Sequence, residues 1–363
     1  MPRCFEVKTA SGTYVVEIGC GLTVSILKRN PGSVTIIDER LRDRLPAGHD
    51  QIIALPATEE QKSLERLPEV VLALRGMMAN RGTHVVAIGG GVIQDIATFV
   101  CSVYMRGVRW SYMPTTMLGM ADSCIGGKSS INVGGLKNLV GNIYPPLAVV
   151  VDTDFIGSLN AGQTVGGLIE AAKICFARGY DEFCAYEALN PTYPLSAEHA
   201  ESLILRSLTA KRWFIEVDEF DKKERLLLNF GHTFGHALES ATNFAIAHGL
   251  AVGAGMIAAN LLALQNGWLN PVGEAAVHHL QRHVVKMIGA ADSQPSEAIL
   301  LSKVLEAFES DKKHLSDHYR IVGPRGDGAL ALLPLSKTSA SRNMVALGIA
   351  EACQTLGWPL QTD

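Results

Sequence analysis

The segment HVVAIGGGVIQDIATFV at 84–100 couples a short, β-branched apolar run to three consecutive glycines, Gly89, Gly90 and Gly91, and then to a helical pattern. An uninterrupted apolar run of this kind reads as a strand buried on both faces, and such strands belong to parallel sheets joined by helical crossovers. Similar runs stand at 35–40 (VTIIDE) and 51–56 (QIIALP), followed by a helix-like segment at 59–82. The first 150 or so residues therefore predict an α/β domain with a parallel sheet.

From about Gly166 onward the strand signals fade. Amphipathic helical patterns follow at 166–178, 196–216, 223–241, 248–267, 271–289, 296–310 and 341–356, with one short β-like run at 319–324. The Gly/Asn/Asp-rich stretch VVVDTDFIGSLNAGQ at 149–163 marks the boundary, giving domains at 1–160 and 161–363. A length of 363 residues also favours two domains. With 47% hydrophobic residues and 35 glycines, the composition is that of a packed globule.

The net charge of -4 argues against a nucleic-acid partner, so any cationic chemistry has to be local. Seven cysteines, an odd number without CxxC spacing, fit a reducing compartment. The N-terminal residues alternate apolar and polar like a strand and lack the pattern of a signal peptide, and no apolar stretch is long enough to span a membrane. The expectation is a soluble, cytoplasmic protein without a membrane partner.

Glycines at a strand-to-helix turn let the backbone approach a pyrophosphate while the helix N-terminus supplies amide donors. Asp95, one turn into that helix, is placed to accept a hydrogen bond from a ribose or nicotinamide group. A tight turn without a ligand is the alternative, and the G-x-G-x-x-G spacing of common dehydrogenases is absent. Further on, YMPTTMLGMADSCIGGKSSINVGGLKN (112–138) gathers Thr115, Thr116, Asp122, Lys128, Lys137 and Asn138 between glycines. That composition suits phosphate, with Lys for charge and Asn as an amide donor; a solvated surface loop is the other reading.

In LNFGHTFGHALES (228–240), His232 and His236 stand four apart, but Thr233 occupies the position where zinc proteases carry a Glu. Arg225, Asn229, His232 and His236 fall at i, i+4, i+7 and i+11 of the expected helix, one continuous face. Such a polar face beside the apolar stripe of Leu226, Phe230 and Phe234 points to a site. A catalytic metal needs a third ligand, and a carboxylate would balance its charge. Glu170 in GGLIEAAKI and His248 in FAIAHGLAVGAGM are candidates, which would leave His236 for substrate. A helix-surface ion pair between Glu170 and Lys173, and a helix-terminal role for His248, are the bland alternatives.

Taken together, GGGVIQD, PTT, DSCIGGKSSIN, KN, GGLIEAAK, NFGHTFGHALE, HGLAVGAGM and DKK resemble the 3-dehydroquinate synthase family of sugar phosphate cyclases, over about 59–315. The resemblance implies a dehydroquinate synthase-like fold, with an NAD-binding α/β domain followed by a mainly α-helical metal- and substrate-binding domain. It also implies NAD and zinc or cobalt as cofactors, and a homodimer.

Carried over to this chain, it makes Glu170, His232 and His248 the metal ligands. It sets NAD along Asp38, Glu59, Lys62, Gly90, Gly91, Asp95, Thr115, Thr116, Lys137 and Ser158. Substrate phosphate would meet Lys128, Asn138, Asn229, His236 and Lys313, with Arg106 reaching in from a neighbouring subunit. Lys211 and Arg225 match the pair that holds a substrate carboxylate, and Asp122 and Lys173 the groups around the reacting hydroxyls.

The implied chemistry converts 3-deoxy-D-arabino-heptulosonate 7-phosphate to 3-dehydroquinate and phosphate by transient oxidation, elimination, reduction and aldol closure, a step of the shikimate pathway to aromatic amino acids. Relatives that cyclise neutral sugar phosphates tend to lose the residues that stand here as Lys211, Arg225, Asn229 and His236. Three features depart from the family pattern: Gln94 in place of a usual Gly, SLNAGQT in place of TLPxRE, and no Asn two residues beyond Asp38. A paralogous cyclase taking an amino or sedoheptulose-type phosphate, a metal-dependent alcohol or glycerol dehydrogenase, and a non-catalytic metal- or nucleotide-binding regulator are the rival readings.

Overall fold

The computed structural model describes residues 2–362. Two compact units divide the chain: Met1–Leu159 with Ser196–Phe220, and Asn160–Leu195 with Asp221–Asp363. The first crossing falls at the boundary legible near residue 160, and the chain then crosses twice more, so that the helix read at 196–216 packs with the first unit.

The first unit opens with an antiparallel hairpin, β1 (Arg3–Thr9) and β2 (Gly12–Gly19). Then come α1 (Thr23–Arg29), β3 (Val34–Asp38), β4 (Ile52–Leu55), α2 (Leu67–Gly76), β5 (His84–Gly89), α3 (Gly91–Val103) and β6 (Arg109–Pro114). A small antiparallel pair, β7 (Ile131–Val133) and β8 (Leu136–Val140), precedes β9 (Ala148–Asp152). The main sheet has the order β1-β2-β9-β6-β5-β3-β4, parallel everywhere except β1 against β2.

Its Val- and Ile-rich strands are buried for the reason read from their sequence, since helices close both faces of a parallel sheet. All five residues of β3 are buried. The helix-like segment at 59–82 forms an α-helix only over Leu67–Gly76, after a 3-10 turn at Glu59–Lys62. Pro68 lies in the first turn of α2, where its missing N–H has no intrahelical partner to lose. After α4 (Ala161–Arg178) and α5 (Tyr180–Glu187), α6 (Ala197–Val217) returns to the first unit and packs on β1, on the turn at 119–123 and on the 3-10 segment Thr153–Ser158.

The second unit comprises α4, α5, α7 (His232–Ala241), α8 (His248–Gln265), α9 (Pro271–Ala290), β10 (Ile299–Leu300), α10 (Leu301–Glu309), β11 (His318–Arg325), β12 (Ala329–Ser336), α11 (Ser339–Leu356) and β13 (Leu360–Gln361). The β-like run at 319–324 is one strand of the β11–β12 hairpin. The pattern at 296–310 is helical only over Leu301–Glu309.

Helix α8 is the core of this unit, packed by α4, α7, α9 and α11. It is long and apolar enough to cross a membrane, yet 78% of its length is buried inside the unit. Its composition therefore reflects a core position. None of the seven cysteines is in a disulfide.

One expectation fails here. The pattern at 223–241 is not a single helix: Glu224–Asn229 is a 3-10 turn, Gly231 takes φ +75°, and the α-helix begins only at His232. Arg225 and Asn229 therefore do not share a helical face with His232 and His236. The left-handed conformation suits glycine, and a Cβ there would also lie 2.6 Å from the Val252 carbonyl oxygen.

Candidate metal centre and nucleotide half-site

In the second unit three helices meet at glycines. A Cβ on Gly249 would lie 2.2 Å from the Gly166 carbonyl oxygen, and one on Gly255 2.0 Å from that of Gly231. Helix α8 thus touches α4 and the start of α7 backbone to backbone. Glu170 lies one turn beyond Gly166, His232 follows Gly231, and His248 precedes Gly249. The glycines are what let the three side chains converge.

Glu170 is fully buried, with Oε1 3.4 Å from His248 Nε2 and 3.9 Å from His232 Nε2. Its other oxygen, Oε2, pairs with the ammonium of Lys173, which is only 2% exposed. The pair is a buried feature of α4, not a surface salt bridge. Each imidazole is held from behind at Nδ1: His232 by the Phe230 carbonyl at 3.3 Å, and His248 by Glu239 Oε2 at 3.1 Å. With Nδ1–H donating in both, the Nε2 lone pairs face Glu170.

Oε1 of Glu170 is buried without a hydrogen bond of good geometry, and the Nε2 atoms of two imidazoles face it. A divalent cation satisfies all three donors, and two His with one carboxylate is the donor set of a catalytic zinc. His236 also offers a nitrogen within 4.8 Å of those of His232 and His248. Its ring edge is accessible and it brings no charge, so Glu170 completes the better set.

The electrostatics agree. Desolvation, then the charge of Lys173, holds His232 well below its ordinary pKa. His236 keeps an accessible edge but is ringed by protein atoms; this desolvation, with Lys313 nearby, pushes it down to about 4. His248, although desolvated, is pushed up to about 10 by its hydrogen bonds with Glu170 and Glu239.

On the same unit Lys313 Nζ donates to Asn229 Oδ1 at 3.3 Å, and Asn229 Nδ2 donates to the Leu226 carbonyl. Burial holds the Lys313 ammonium below its ordinary pKa. Arg225 is 4% exposed. A guanidinium, an ammonium, an amide and an imidazole on one unit suit an anionic substrate.

In the first unit, β5 delivers Gly89, Gly90 and Gly91 to the start of α3. A Cβ on Gly89 would strike Ile93 and one on Gly90 would lie 2.9 Å from Thr116, whereas Gly91 opens onto free space. Two of the three glycines are therefore required by packing, and the third leaves the helix N-terminus accessible. Thr115 N–H donates to the Gly89 carbonyl, and Thr116 Oγ1 accepts from Gly119.

Asp95 accepts from Ser130 N–H at 3.0 Å and pairs with the buried Lys62 at 3.1 Å. Lys62 also meets Glu59 Oε1 at 3.3 Å and Asn138 Oδ1 at 3.1 Å. Glu59, Lys62, Asp95 and Asn138 thus form one network. Desolvation, only partly offset by Lys62, pushes the Asp95 carboxyl up to about 6. Lys128 bridges Ile143, and Lys137 is exposed on β8.

Asp122 lies in a π-turn at Gly119–Ser123, and its carboxylate and carbonyl both accept from the Lys211 ammonium on α6. π-turns of this kind are frequent at functional sites. Asp38 is held two-pronged by Arg40, Ser158 donates to the Phe155 carbonyl from an exposed turn, and Arg106 (φ +66°) is exposed at the end of the 3-10 turn Tyr104–Arg106.

Two contacts escaped the sequence reading. Glu239 supports His248 across a turn, and Gln94 exchanges hydrogen bonds with Ser123, Nε2 donating to its carbonyl at 2.6 Å and Oε1 accepting from its hydroxyl at 2.7 Å. The spacing of Glu239 three residues after His236 was the available signal for the first.

An α/β unit with a glycine-rich turn, and a helical unit in which Glu170, His232 and His248 converge, belong to the dehydroquinate synthase-like fold. A solved structure of 2-deoxy-scyllo-inosose synthase complexed with carbaglucose-6-phosphate, NAD+ and Co2+ is similar over 96% of this chain and 99% of its own, with TM-score 0.83 and 25% identity. The 2-epi-5-epi-valiolone synthase of Streptomyces hygroscopicus subsp. jinggangensis, solved with NAD+ and Zn2+, shares the fold at TM-score 0.73 and 24% identity, over 93% and 97% of the two chains.

Sequence narrows the class. Residues 52–165 match the 3-dehydroquinate synthase N-terminal family and 167–314 the 3-dehydroquinate synthase C-terminal family. The 3-dehydroquinate synthase of Pyrobaculum neutrophilum is 35% identical over 324 residues, 88% of this chain and 91% of that one. The chain belongs to the 3-dehydroquinate synthase family and is an enzyme of the sugar phosphate cyclase fold.

Proposed function

We propose that this enzyme converts 3-deoxy-D-arabino-heptulosonate 7-phosphate to 3-dehydroquinate and phosphate. The observation that carries the reading is the buried Arg225 on the unit that also holds Asn229, His236 and Lys313, a cationic and amide set suited to a substrate bearing both carboxylate and phosphate. A neutral polyol, the substrate class of the rival dehydrogenases, gives no reason to bury a guanidinium there. The names of relatives such as the Pyrobaculum enzyme support the same assignment.

Glu170, His232 and His248 are the residues that would hold a divalent cation, and the network of Glu59, Lys62 and Asp95 with the open start of α3 would hold NAD. When bound, NAD supplies reversible hydride acceptance and the cation Lewis acidity toward a secondary hydroxyl, which a redox-neutral elimination and ring closure needs. In this reading Arg225 and Lys211 are the groups for the substrate carboxylate. Lys128, Asn138, Asn229 and Lys313 hold the phosphate until it leaves.

His236, neutral near pH 7, donates a hydrogen bond to that phosphate without carrying a charge that would retain it. In this reading Lys173 and Asp122 serve the reacting hydroxyls. Asp38, Gly90, Gly91, Thr115, Thr116, Lys137 and Ser158 complete the nucleotide side. Arg106, exposed at the end of its 3-10 turn, reaches toward a second copy in a cytoplasmic homodimer.

The test is phosphate release from the heptulosonate phosphate with catalytic NAD and zinc, with NADH absorbance followed in the same cuvette. Release without lasting NADH is expected. Release only from an amino or neutral heptulose phosphate would move the chain to a paralogue. Steady NADH from a polyol would assign it to the dehydrogenases.

A further inference from the structure

The two imidazoles that face Glu170 are anchored differently. His232 leans on a backbone carbonyl two residues away, Phe230, which no side-chain substitution removes. His248 stands at the first position of α8, its side chain 32% exposed, and its Nδ1 meets a side chain, Glu239, 3.1 Å away. Glu239 is 9% exposed and lies in the last turn of α7, so its carboxylate is held close to the ring by the packing of α7 on α8. The hydrogen-bond and ion-pair partners of the His248 ring are Glu170 on Nε2 and Glu239 on Nδ1.

We propose that Glu239 is a positioning residue of the metal centre, fixing the tautomer and ring orientation of His248 so that Nε2 faces the ion. It is not itself a ligand. The two imidazole nitrogens point in diverging directions, and a cation lies about 2.0–2.1 Å beyond the nitrogen that binds it, so a carboxylate on Nδ1 sits behind the ring. Removing the acceptor frees the ring to turn or to adopt the other tautomer, and the ion loses a third of its protein ligands. The inference rests on the reading of Glu170, His232 and His248 as ligands.

The experiment titrates the metal-stripped full chain with Co2+ and Zn2+, reading affinity by chelator competition and coordination by the visible absorption of bound Co2+. Glu239→Ala should raise Kd roughly ten- to hundredfold and change the Co2+ spectrum. Glu239→Gln, whose amide oxygen still accepts from Nδ1–H, should recover most of the affinity and the wild-type spectrum. Glu239→Met, similar in size and without an acceptor, replaces the alanine variant if that one does not fold, with the same expectation.

Wild-type affinity and spectrum in the folded Ala or Met variant would overturn the role of Glu239 and leave the centre standing. Failure of the wild type to bind Co2+, or full occupancy in His232→Ala, would remove the centre and this inference with it.

Discussion

Substituting Ala for Gly249 tests how the centre is assembled. The new Cβ would lie 2.2 Å from the Gly166 carbonyl oxygen, 2.4 Å from its Cα and 2.5 Å from its carbonyl carbon, all backbone atoms that cannot rotate away. Ordinary contact begins near 3.4 Å, so α8 and α4 must part by about 1 Å, and overpacking on this scale costs about 1–3 kcal/mol. Those helices carry His248 and Glu170, whose facing atoms are 3.4 Å apart. Metal sites tolerate about 0.2 Å of error in ligand distance, so a shift of about 1 Å exceeds what the site can absorb.

The expected outcome is a Zn2+ Kd raised at least tenfold, or about 1.4 kcal/mol, read by chelator competition, with the stability of the metal-free protein measured separately by urea unfolding. Gly166→Ala is the control within the same contact. Its Cβ would meet Gly249 Cα at 3.4 Å, an ordinary distance, so metal affinity should remain at the wild-type level. Wild-type zinc affinity in folded Gly249→Ala would refute the argument that this glycine sets the ligand geometry.

Four further outcomes are expected. His232→Ala should abolish stoichiometric zinc by elemental analysis and remove turnover with it. Arg225→Ala should raise KM for the heptulosonate phosphate far more than it lowers metal or NAD affinity, as steady-state kinetics and calorimetry would reveal. Gln94→Ala removes two hydrogen bonds to Ser123, and at about 0.5–1.5 kcal/mol each it should lower unfolding free energy by about 1–3 kcal/mol in urea.

Asp95 supplies the pH dependence. Its folded pKa, about 6 against the ordinary 3.8, means that the folded state favours the proton. Its contribution to stability is therefore present below the unfolded value and lost as pH rises through 6. The loss is at most about 3 kcal/mol at 1.36 kcal/mol per unit. The stability difference between wild type and Asp95→Asn should shift against the wild type from pH 4 to pH 7; a constant difference across that range would contradict the assignment.

The parallel sheet was legible because its strands are continuous Val- and Ile-rich runs and its β5-to-α3 turn is spelled in glycine. The helices of the second unit were legible by period, but their breaks were not. Arg225 and Asn229 match the helical spacing of His232, and only the left-handed Gly231, pressed against Val252, ends the pattern. A 3.6-residue period counts positions and is blind to one residue that reverses the backbone. The segment at 59–82 failed likewise, although Pro68 was a visible signal that the α-helix starts there.

The candidate ligands stand out in the sequence by type, and the contacts that anchor them do not. His232, His248 and Glu170 are chemically conspicuous, whereas Glu239 is one acidic residue among 36 Asp and Glu, and its partner lies nine positions away around the α7–α8 turn. Gln94 stood out as a departure from the family pattern, but its partner Ser123 is 29 positions away and nothing in the sequence pairs the two. Ligand identity is a property of residues, but ligand orientation is a property of contacts made when helices pack. The same holds for Gly166, Gly249, Gly231 and Gly255: in the sequence they are four glycines of 35, and only the packed helices reveal that three of them, Gly231, Gly249 and Gly255, exclude any side chain because a carbonyl oxygen of a neighbouring segment already occupies the space. A chain in this family can therefore keep every ligand and still lose the centre through a glycine or a carboxylate that never touches the ion.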